Sequence, residues 1–538
     1  MTLPSWPFRP DPGTVLRTAL RLPARQLAHQ LGHRLAGPAR RPRATSLEGV
    51  TGLAARLPPP APEGTPGPDG VVLFGQPPHD PLQGGWEPPR GPLYLYTLHY
   101  HGWLQREPPA RALATIEHWI AHHPAGVGWE PYPTAMRALH WIGWLSGHLD
   151  DLDGPTRRRL LASLAAQLRH LERHLELHLD GNHLWTDLAA LATAALALDG
   201  PRPVALAHAV GRFATTVAAQ LTLDGLHRER TPTYHCLLAE QLAGVVALHP
   251  ERVDPHAAAA LRSDLARMLA VLPAFTHPDG DVALWGDSQR DAPVTPAALA
   301  ARCGVDLPLG TDANAPSSGL FRRAWGPWTV LWNAGGLGMP QQVGHIHGDW
   351  LGLELSLGDE RVVVDAGAGT YDRVAERAYA RSTRAHNTVA VDDLDQHELW
   401  ASHRIGGRAE LRDLSFGPSV LTAAVHGFRA PALHRRRLSH DGGLVRCADW
   451  VLPRGRRPVP ATARIHLPAD CDVRRAGATV EVTTPGGRRF KIHAPDDLRW
   501  DRSPVPGWRA MFTPAPRHCL ALPVPTDGLE LTFEAITD

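Results

Sequence analysis

The chain has 538 residues, and its 55 Lys and Arg residues nearly balance its 54 Asp and Glu residues, so its net charge at pH 7 is close to zero. This balance excludes a generally basic nucleic-acid-binding protein. A composition of 43% hydrophobic and 20% charged residues excludes wholesale disorder, and the length predicts two or three domains, each with its own core.

Residues 1–90 are predicted to form a basic helical arm followed by a Pro-rich linker at 57–70. Such a helix packs on its own protein or lies on a membrane surface, and we favour the first. The arm lacks the uninterrupted apolar region of an export signal, which points to the cytoplasm, and no apolar run of about 18 residues predicts a membrane span. The leucines at near-helical spacing are Leu16, Leu20, Leu27, Leu31 and Leu35.

Residues 91–310 are predicted to form an all-α domain, because apolar residues recur at helical spacing in one segment after another. Short connections marked by Gly or Pro indicate antiparallel helical hairpins, which leaves a bundle, a solenoid and an α/α toroid open. The predicted helices cover 110–123, 133–149, 156–179, 183–198, 204–221, 234–248 and 255–272.

Residues 311–538 are predicted to be all-β, because short runs of Val, Leu, Trp and Thr alternate with polar residues. Gly358-Asp359 and Pro485-Gly486-Gly487 lie between such runs as turn signals. We expect a sandwich of antiparallel sheets. The predicted strands include 328–332, 351–357, 361–364, 388–391 and 479–484.

Three polar clusters at the ends of predicted elements are candidates for chemistry: 180–183, 229–235, and the set formed by 344–349, Asp365 and His386. Each has a structural alternative. Asn182 alone suits a helix N-cap, and Tyr234 and His235 could be half-buried residues with one hydrogen bond each.

A strand over 345–347 would place the imidazoles of His345 and His347 on one side, which is a moderate signal for a metal or for acid/base chemistry. The five cysteines are scattered and form no Cys-x-x-Cys pair, so any metal is expected on His and carboxylate. A straight hairpin about Gly358-Asp359 would separate His347 from Asp365 by roughly 20 Å, so their contact requires a bend or another register.

Two long segments, 352–371 (GLELSLGDERVVVDAGAGTY) and 381–410, are preceded by three shorter ones at 93–104, 181–198 and 224–235, in an order typical of one enzyme family. In these segments the chain resembles the heparinase II/III-like family of polysaccharide lyases, densely in the two long segments and more weakly in the others. The resemblance implies an N-terminal (α/α) toroid followed by a C-terminal antiparallel β-sandwich. It also implies β-elimination on a uronic acid within an acidic polysaccharide substrate.

Carried over position by position, the resemblance implies that Asn182 neutralises the substrate carboxylate, His183 contacts the substrate or acts as a base, Tyr234 transfers the proton, and His345 is a further acid/base or neutralising group. Arg230 and His235 are implied substrate-binding residues. A tyrosine with a free pKa of about 10 is a poor base, so positive groups nearby would be needed to lower that value.

The resemblance further implies a structural zinc, or another divalent metal, on His347, Asp365 and His386. Two alternatives stay open beside the lyase. One is a non-catalytic polysaccharide-binding factor of a surface-polysaccharide assembly system, and the other is a glycoside hydrolase using two of Asp187, Asp224 and Glu229. The sequence leaves a homodimer open. The family's degradative members suggest a periplasmic location, whereas the missing export signal points to the cytoplasm.

Overall fold

A computed structural model describes residues 10–24, 26–28, 50–123, 125–199, 208–372, 374–496 and 498–536. The chain divides into two compact units. A helical unit comprises 23–221 and 236–267, and a β-rich unit comprises 1–22, 222–235 and 268–538. Among the described residues, no helix is long and apolar enough to cross a bilayer.

The helical unit is built from consecutive helices joined by short loops. Many of them start with proline, such as those that begin at Pro92, Pro109 and Pro131. The fixed φ and the missing N–H of proline suit the first helical turn. The helices of the chain in order are α1 Pro12–Ala19, α2 Pro81–Gly84, α3 Pro92–Tyr100, α4 Pro109–His122, α5 Pro131–His148, α6 Gly154–Arg173, α7 Gly181–Ala197, α8 Ala209–Gln220, α9 Pro232–Ala247, α10 Pro255–Ala270, α11 Pro296–Cys303 and α12 Ala375–Arg381.

The seven helices predicted in 91–310 correspond to α4 to α10 within a few residues, with one difference that matters for the site. Helices α2, α3, α11 and α12 have no predicted counterpart. The predicted helix over 156–179 ends at Arg173, because the chain turns there and reaches α7 through a loop. Glu176 lies in this loop. Short 3₁₀ helices occur at Gly102–Arg106, Val127–Trp129, Leu149–Asp151, Pro250–Arg252, Leu272–Phe275 and Thr383–Ala385.

The β-rich unit contains three large antiparallel sheets. In the first sheet, strands 313–315, 320–325, 328–333, 352–357 and 360–363 are neighbours in chain order. The order in the second sheet is 389–391, 461–468, 517–523 and 501–505. In the third sheet it is 410–416, 420–426, 432–441, 444–453, 529–535, 489–493, 479–483 and 472–476. Apolar side chains from all three sheets, such as Phe321, Ile465 and Leu531, share one buried core, as in a sandwich.

The strand bounds agree closely with the predicted ones where both exist. In chain order the strands are β1 Gly52–Leu53, β2 Thr65–Gly67, β3 Gly70–Val72, β4 Leu198–Asp199, β5 Ala313–Ala315, β6 Leu320–Trp325, β7 Trp328–Asn333, β8 Gly352–Leu357, β9 Glu360–Val363, β10 Val389–Val391, β11 Leu399–Trp400, β12 Arg404–Ile405, β13 Glu410–Phe416, β14 Val420–His426, β15 Ala432–Asp441, β16 Leu444–Pro453, β17 Ala461–Pro468, β18 Asp472–Ala476, β19 Thr479–Thr483, β20 Arg489–His493, β21 Asp501–Val505, β22 Trp508–Ala510, β23 Thr513–Pro514, β24 Arg517–Pro523 and β25 Leu529–Ala535.

The described part of the N-terminal arm packs through polar residues. Thr14 and Arg17 of α1 hydrogen-bond the carboxylate of Glu398, whereas Leu16 and Leu20 are 58% and 75% exposed. The leucine spacing therefore does not mark the buried face of α1. Leu31 and Leu35 lie outside the described residues.

Candidate active site

Two tyrosines and a histidine form the centre of a polar cluster in the β-rich unit. Tyr234, in the first turn of α9, has its hydroxyl 2.9 Å from the hydroxyl of Tyr371. Its ring lies 4.3 Å from the ring of His345, measured between centroids. Tyr371 belongs to the densely matching segment 352–371, but sequence reasoning did not single it out, because nothing local shows that it would reach a residue 137 positions away.

Asp287 is the residue that holds the two histidines of the cluster. Its Oδ2 lies 2.7 Å from Nδ1 of His345, and its Oδ1 lies 2.8 Å from Nε2 of His347. Arg377 of α12 donates to both carboxylate oxygens. Burial alone would raise the pKa of Asp287, but the Arg377 guanidinium and the two imidazoles hold it well below its usual range.

The backbone explains why Asp287 reaches these histidines. Its N–H donates to the carbonyl oxygen of His345, at 3.1 Å. Gly286, just before it, has φ +56, and a Cβ at this position would lie 2.5 Å from the same oxygen. Only glycine tolerates both this positive φ and this close approach to the carbonyl oxygen without strain. The sequence did not reveal Asp287, which is 58 residues from His345.

Residues 345–347 do not form the strand that would place both imidazoles on one side, since they lie in the connection between β7 and β8. The two imidazoles share one carboxylate because the chain is bent there, and not because of strand alternation. A tight turn follows, in which the N–H of Gly352 donates to the carbonyl of Asp349 and Leu351 has φ +60.

That bend also removes the separation of roughly 20 Å expected for a straight hairpin. The ring centroids of His347 and His386 are 5.4 Å apart, and Nδ1 of His386 lies 2.6 Å from Oδ1 of Asp365. Burial lowers the pKa of His347 to about 3, which keeps its imidazole neutral.

His347, Asp365 and His386, the residues predicted to bind a metal, carry suitable donor atoms but are not arranged as a coordination shell. Among the described residues, no three His, Cys, Asp or Glu side chains are arranged to hold a metal, and Asp365 and His386 bind each other. However, Nδ1 of His347, Oδ2 of Asp365 and Nε2 of His386 are buried and have no hydrogen-bond partner in the part of the chain that the structure describes. Two imidazole nitrogens and one carboxylate oxygen are a donor set that fits zinc.

Asn182 and His183 lie in the first turn of α7 in the helical unit. Asp180, with φ +59, occupies the N-cap position, so the N-cap interpretation of Asn182 is wrong. Nδ1 of His183 is 2.9 Å from Oε2 of Glu176, and its ring lies 4.7 Å from that of Tyr132. The convergence of Asn182 with the cluster around His345 stays a prediction.

The two implied substrate-binding residues are built into the protein interior. His235 is fully buried, and its ring nitrogens bond the carbonyl of Met268 and the N–H of His227. Arg230 is 9% exposed and donates to the carbonyl of Ser318 and to Oδ1 of Asn333. Burial lowers its pKa to about 10. Both residues therefore support the segment that carries Tyr234 and have little surface for a substrate.

The carboxylates considered for a hydrolase have structural partners instead. Oδ2 of Asp187 accepts the backbone N–H of Glu176, and Oδ2 of Asp224 accepts that of Ser318. Burial, together with the neighbouring Glu176, raises the pKa of Asp187 well above its usual range. Glu229 is buried, with Oε2 3.8 Å from Nε2 of His345.

Solved structures resemble this chain over most of its length. A structure of heparinase III has a TM-score of 0.67 at 14% identity, covering 98% of this chain and 92% of that one. A heparinase III gene product has a TM-score of 0.61 at 15% identity, covering 85% and 83%. A mutant heparan sulfate lyase from Pedobacter heparinus also has 0.61 at 15% identity, covering 87% and 80%. No curated protein sequence matches the chain.

These likenesses confirm the predicted fold class, an (α/α) toroid followed by an antiparallel β-sandwich. The family model described as "Heparinase II/III-like, C-terminal" matches residues 308–519, which contain Tyr371 and all three proposed metal ligands. This match over residues 308–519 agrees with the resemblance to the heparinase II/III-like family that the sequence implied.

Proposed function

We propose that the protein is a polysaccharide lyase that cleaves a uronate-containing acidic glycan by β-elimination. The observation that carries the proposal is the hydrogen bond between the hydroxyls of Tyr234 and Tyr371, with the ring of His345 tilted against that of Tyr234 at 4.3 Å between centroids. An elimination needs a group that removes a proton and a group that supplies one to the leaving oxygen. Two phenols in direct contact provide both functions in one place.

In the proposed reaction, Tyr234 acts as a phenolate and accepts the proton from C5 of the uronate. The C5–H electron pair forms the C4=C5 double bond, the C4–O bond breaks, and the leaving oxygen takes a proton from Tyr371. Transfer of a proton from Tyr234 to Tyr371 across their hydrogen bond then restores both side chains. Negative charge gathers on the uronate carboxyl group during this step, so preorganised donors aimed at it lower the barrier. The resemblance assigns that part to Asn182 and His183, and His345 is the imidazole closest to the tyrosine.

The test uses Tyr234→Phe and Tyr371→Phe, each of which deletes one hydroxyl. Loss of an acid/base group typically lowers the rate about 10²- to 10⁴-fold. The measurement is absorbance of the unsaturated uronate on a panel of uronate polymers, with binding followed by calorimetry. The similar structures named heparinase III and heparan sulfate lyase make heparan sulfate the first polymer to try.

The outcome distinguishes the alternatives. A glycoside hydrolase would produce new reducing ends without the unsaturated product. Wild-type binding with no unsaturated product, equal to binding by Tyr234→Phe, would favour the polysaccharide-binding factor and contradict the lyase.

We also propose that His347, Asp365 and His386 hold one zinc ion, which would tie three separate segments of the β-rich unit together next to His345. The support is the set of three buried donor atoms without protein partners. Elemental analysis of protein purified without added metal should find about one zinc per chain by this ligand count, and His386→Ala should lose it. His434→Ala is a matched control, because His434 is a buried histidine of the same unit that pairs with Asp449. Equal zinc in wild type and His386→Ala would remove His386 from the site.

A further inference from the structure

We propose that Asp287 is a positioning residue that couples the metal site to His345, an inference that rests on the proposed function for the role of that imidazole. A single carboxylate bridges the two histidines: Oδ2 meets Nδ1 of His345 and Oδ1 meets Nε2 of His347. All three side chains are at least nine-tenths buried. Water therefore competes little for these hydrogen bonds.

The contacts determine which nitrogen of each ring carries a proton. Asp287 is paired with Arg377, so it is ionised and only accepts hydrogen bonds. Nε2 of His347 also lies 3.5 Å from Nη1 of Arg377, which can only donate, but its contact with Asp287 is shorter, at 2.8 Å. We therefore infer that both facing nitrogens donate to Asp287. His345 carries its proton on Nδ1, which leaves Nε2 as its atom for proton exchange. His347 carries its proton on Nε2, which leaves the lone pair of Nδ1 for a metal.

The second assignment agrees with an independent feature of the structure. Nδ1 of His347 is a buried atom without a protein partner, as are Oδ2 of Asp365 and Nε2 of His386. A metal-bound histidine commonly donates its other N–H to a carboxylate, which fixes its tautomer and orientation. Asp287 is such a carboxylate for His347. Its second oxygen accepts from His345 and fixes the tautomer and orientation of that imidazole in the same way.

Arg377 completes the arrangement by fixing the carboxylate itself. Its guanidinium is buried and donates to both oxygens of Asp287. A bidentate contact defines the plane of the carboxylate as well as its position. Rotation of Asp287 toward either histidine alone would break this contact, so the two imidazoles are held as a pair.

The experiment replaces Asp287 by Asn, which keeps the shape but turns one acceptor oxygen into a donor NH₂ group. One imidazole must then lose its acceptor. Zinc affinity is measured by competition with a chelator, and loss of a carboxylate behind a metal-bound histidine typically lowers it about 10- to 100-fold. The tautomers of His345 and His347 are read from ¹⁵N shifts of histidine-labelled protein, with each resonance assigned by a His→Gln variant.

Asp281→Asn is the matched control. Asp281 lies six positions before Asp287, and its carboxylate accepts the backbone N–H groups of Val282 and Asp291. We expect wild-type zinc affinity and wild-type histidine tautomers in this variant. In Asp287→Asn we expect weaker zinc binding together with loss of the Nδ1–H form of His345.

Wild-type zinc affinity with an unchanged His345 tautomer in Asp287→Asn would overturn the proposal, and so would a loss of zinc that leaves His345 unaffected. A wild-type protein that binds no zinc would overturn the coupling as well. Neither measurement uses a glycan. Inactivity on every polymer tested, with both expected changes present, would contradict the lyase proposal and leave the positioning role of Asp287 standing.

Discussion

The helical and β-rich units each contain a histidine whose Nδ1 hydrogen-bonds a carboxylate, but they recruit that carboxylate differently. In the helical unit, Glu176 precedes His183 by seven residues and lies in the loop that leads into the same helix. In the β-rich unit, Asp287 lies 58 residues before His345 and reaches it through a glycine turn.

The two carboxylates also differ in the number of side chains that each of them holds. Glu176 holds one imidazole, whose side chain is 24% exposed. Asp287 holds His345, His347 and the guanidinium of Arg377, and its own side chain is fully buried. Loss of the Glu176 carboxylate thus affects one partly exposed imidazole. Loss of the Asp287 carboxylate removes the hydrogen-bond acceptor of three buried side chains.

The largest effect is expected for Asp287→Ala. This substitution leaves the buried charge of Arg377 unpaired, and breaking a buried ion pair from one side typically costs about 3–5 kcal/mol in the free energy of unfolding. Urea denaturation measures the loss.

A double-mutant cycle identifies the cause of that loss. Arg377→Met in the Asp287→Ala background removes the unpaired charge, so the double variant should be more stable than Asp287→Ala alone. Additive losses from the two substitutions would show that the ion pair is not what stabilises this region.

The contrast between local and distant partners also explains what the sequence could predict. Helix periodicity and strand alternation are local, and they placed α4 to α7 and strands such as β7 and β8 within a few residues. The resemblance in 352–371 and 381–410 named the family of the C-terminal domain. Residues joined by long-range contacts, such as Tyr371 and Asp287, carry no local signal and were missed.

The local sequence is least informative where burial or a turn overrides a pattern. His235 and Arg230 lie at a helix entrance, yet both are buried and bond the backbone. The spacing of His345 and His347 would suit a strand, but these residues lie in a bent connection that is followed by a turn at Leu351. Asp180 occupies the N-cap position with φ +59, a conformation that the sequence does not show for a non-glycine residue.

A smaller effect is expected for Glu176→Gln. The hydrogen bond from His183 loses its charged acceptor, and hydrogen bonds to charged groups contribute about 1.5–3 kcal/mol. We therefore expect the free energy of unfolding to fall by about 2 kcal/mol at most by that scale. Glu172→Gln on α6 is the control, because Glu172 is not part of this contact. A loss as large as that of Asp287→Ala would contradict the distinction between the two carboxylates.

The smallest effect, when counted per unit of pH, is the pH dependence of the stability of the helical unit. Burial and the neighbouring Glu176 raise the pKa of Asp187 well above its ordinary value of 3.8. The native state therefore binds a proton that the unfolded chain releases. The resulting stability is fully present below about pH 4 and is lost as the pH rises toward the raised native pKa.

Asp187→Asn removes this titration while keeping an oxygen that can accept the N–H of Glu176. We expect wild type to lose about 1 kcal/mol more than the variant per unit of pH rise above pH 5, since one proton is released. Urea unfolding at several pH values measures the difference, with the exposed Asp151→Asn as control. Parallel pH profiles for wild type and Asp187→Asn would show that Asp187 is ionised in the native state, and that its proximity to Glu176 is offset by other groups.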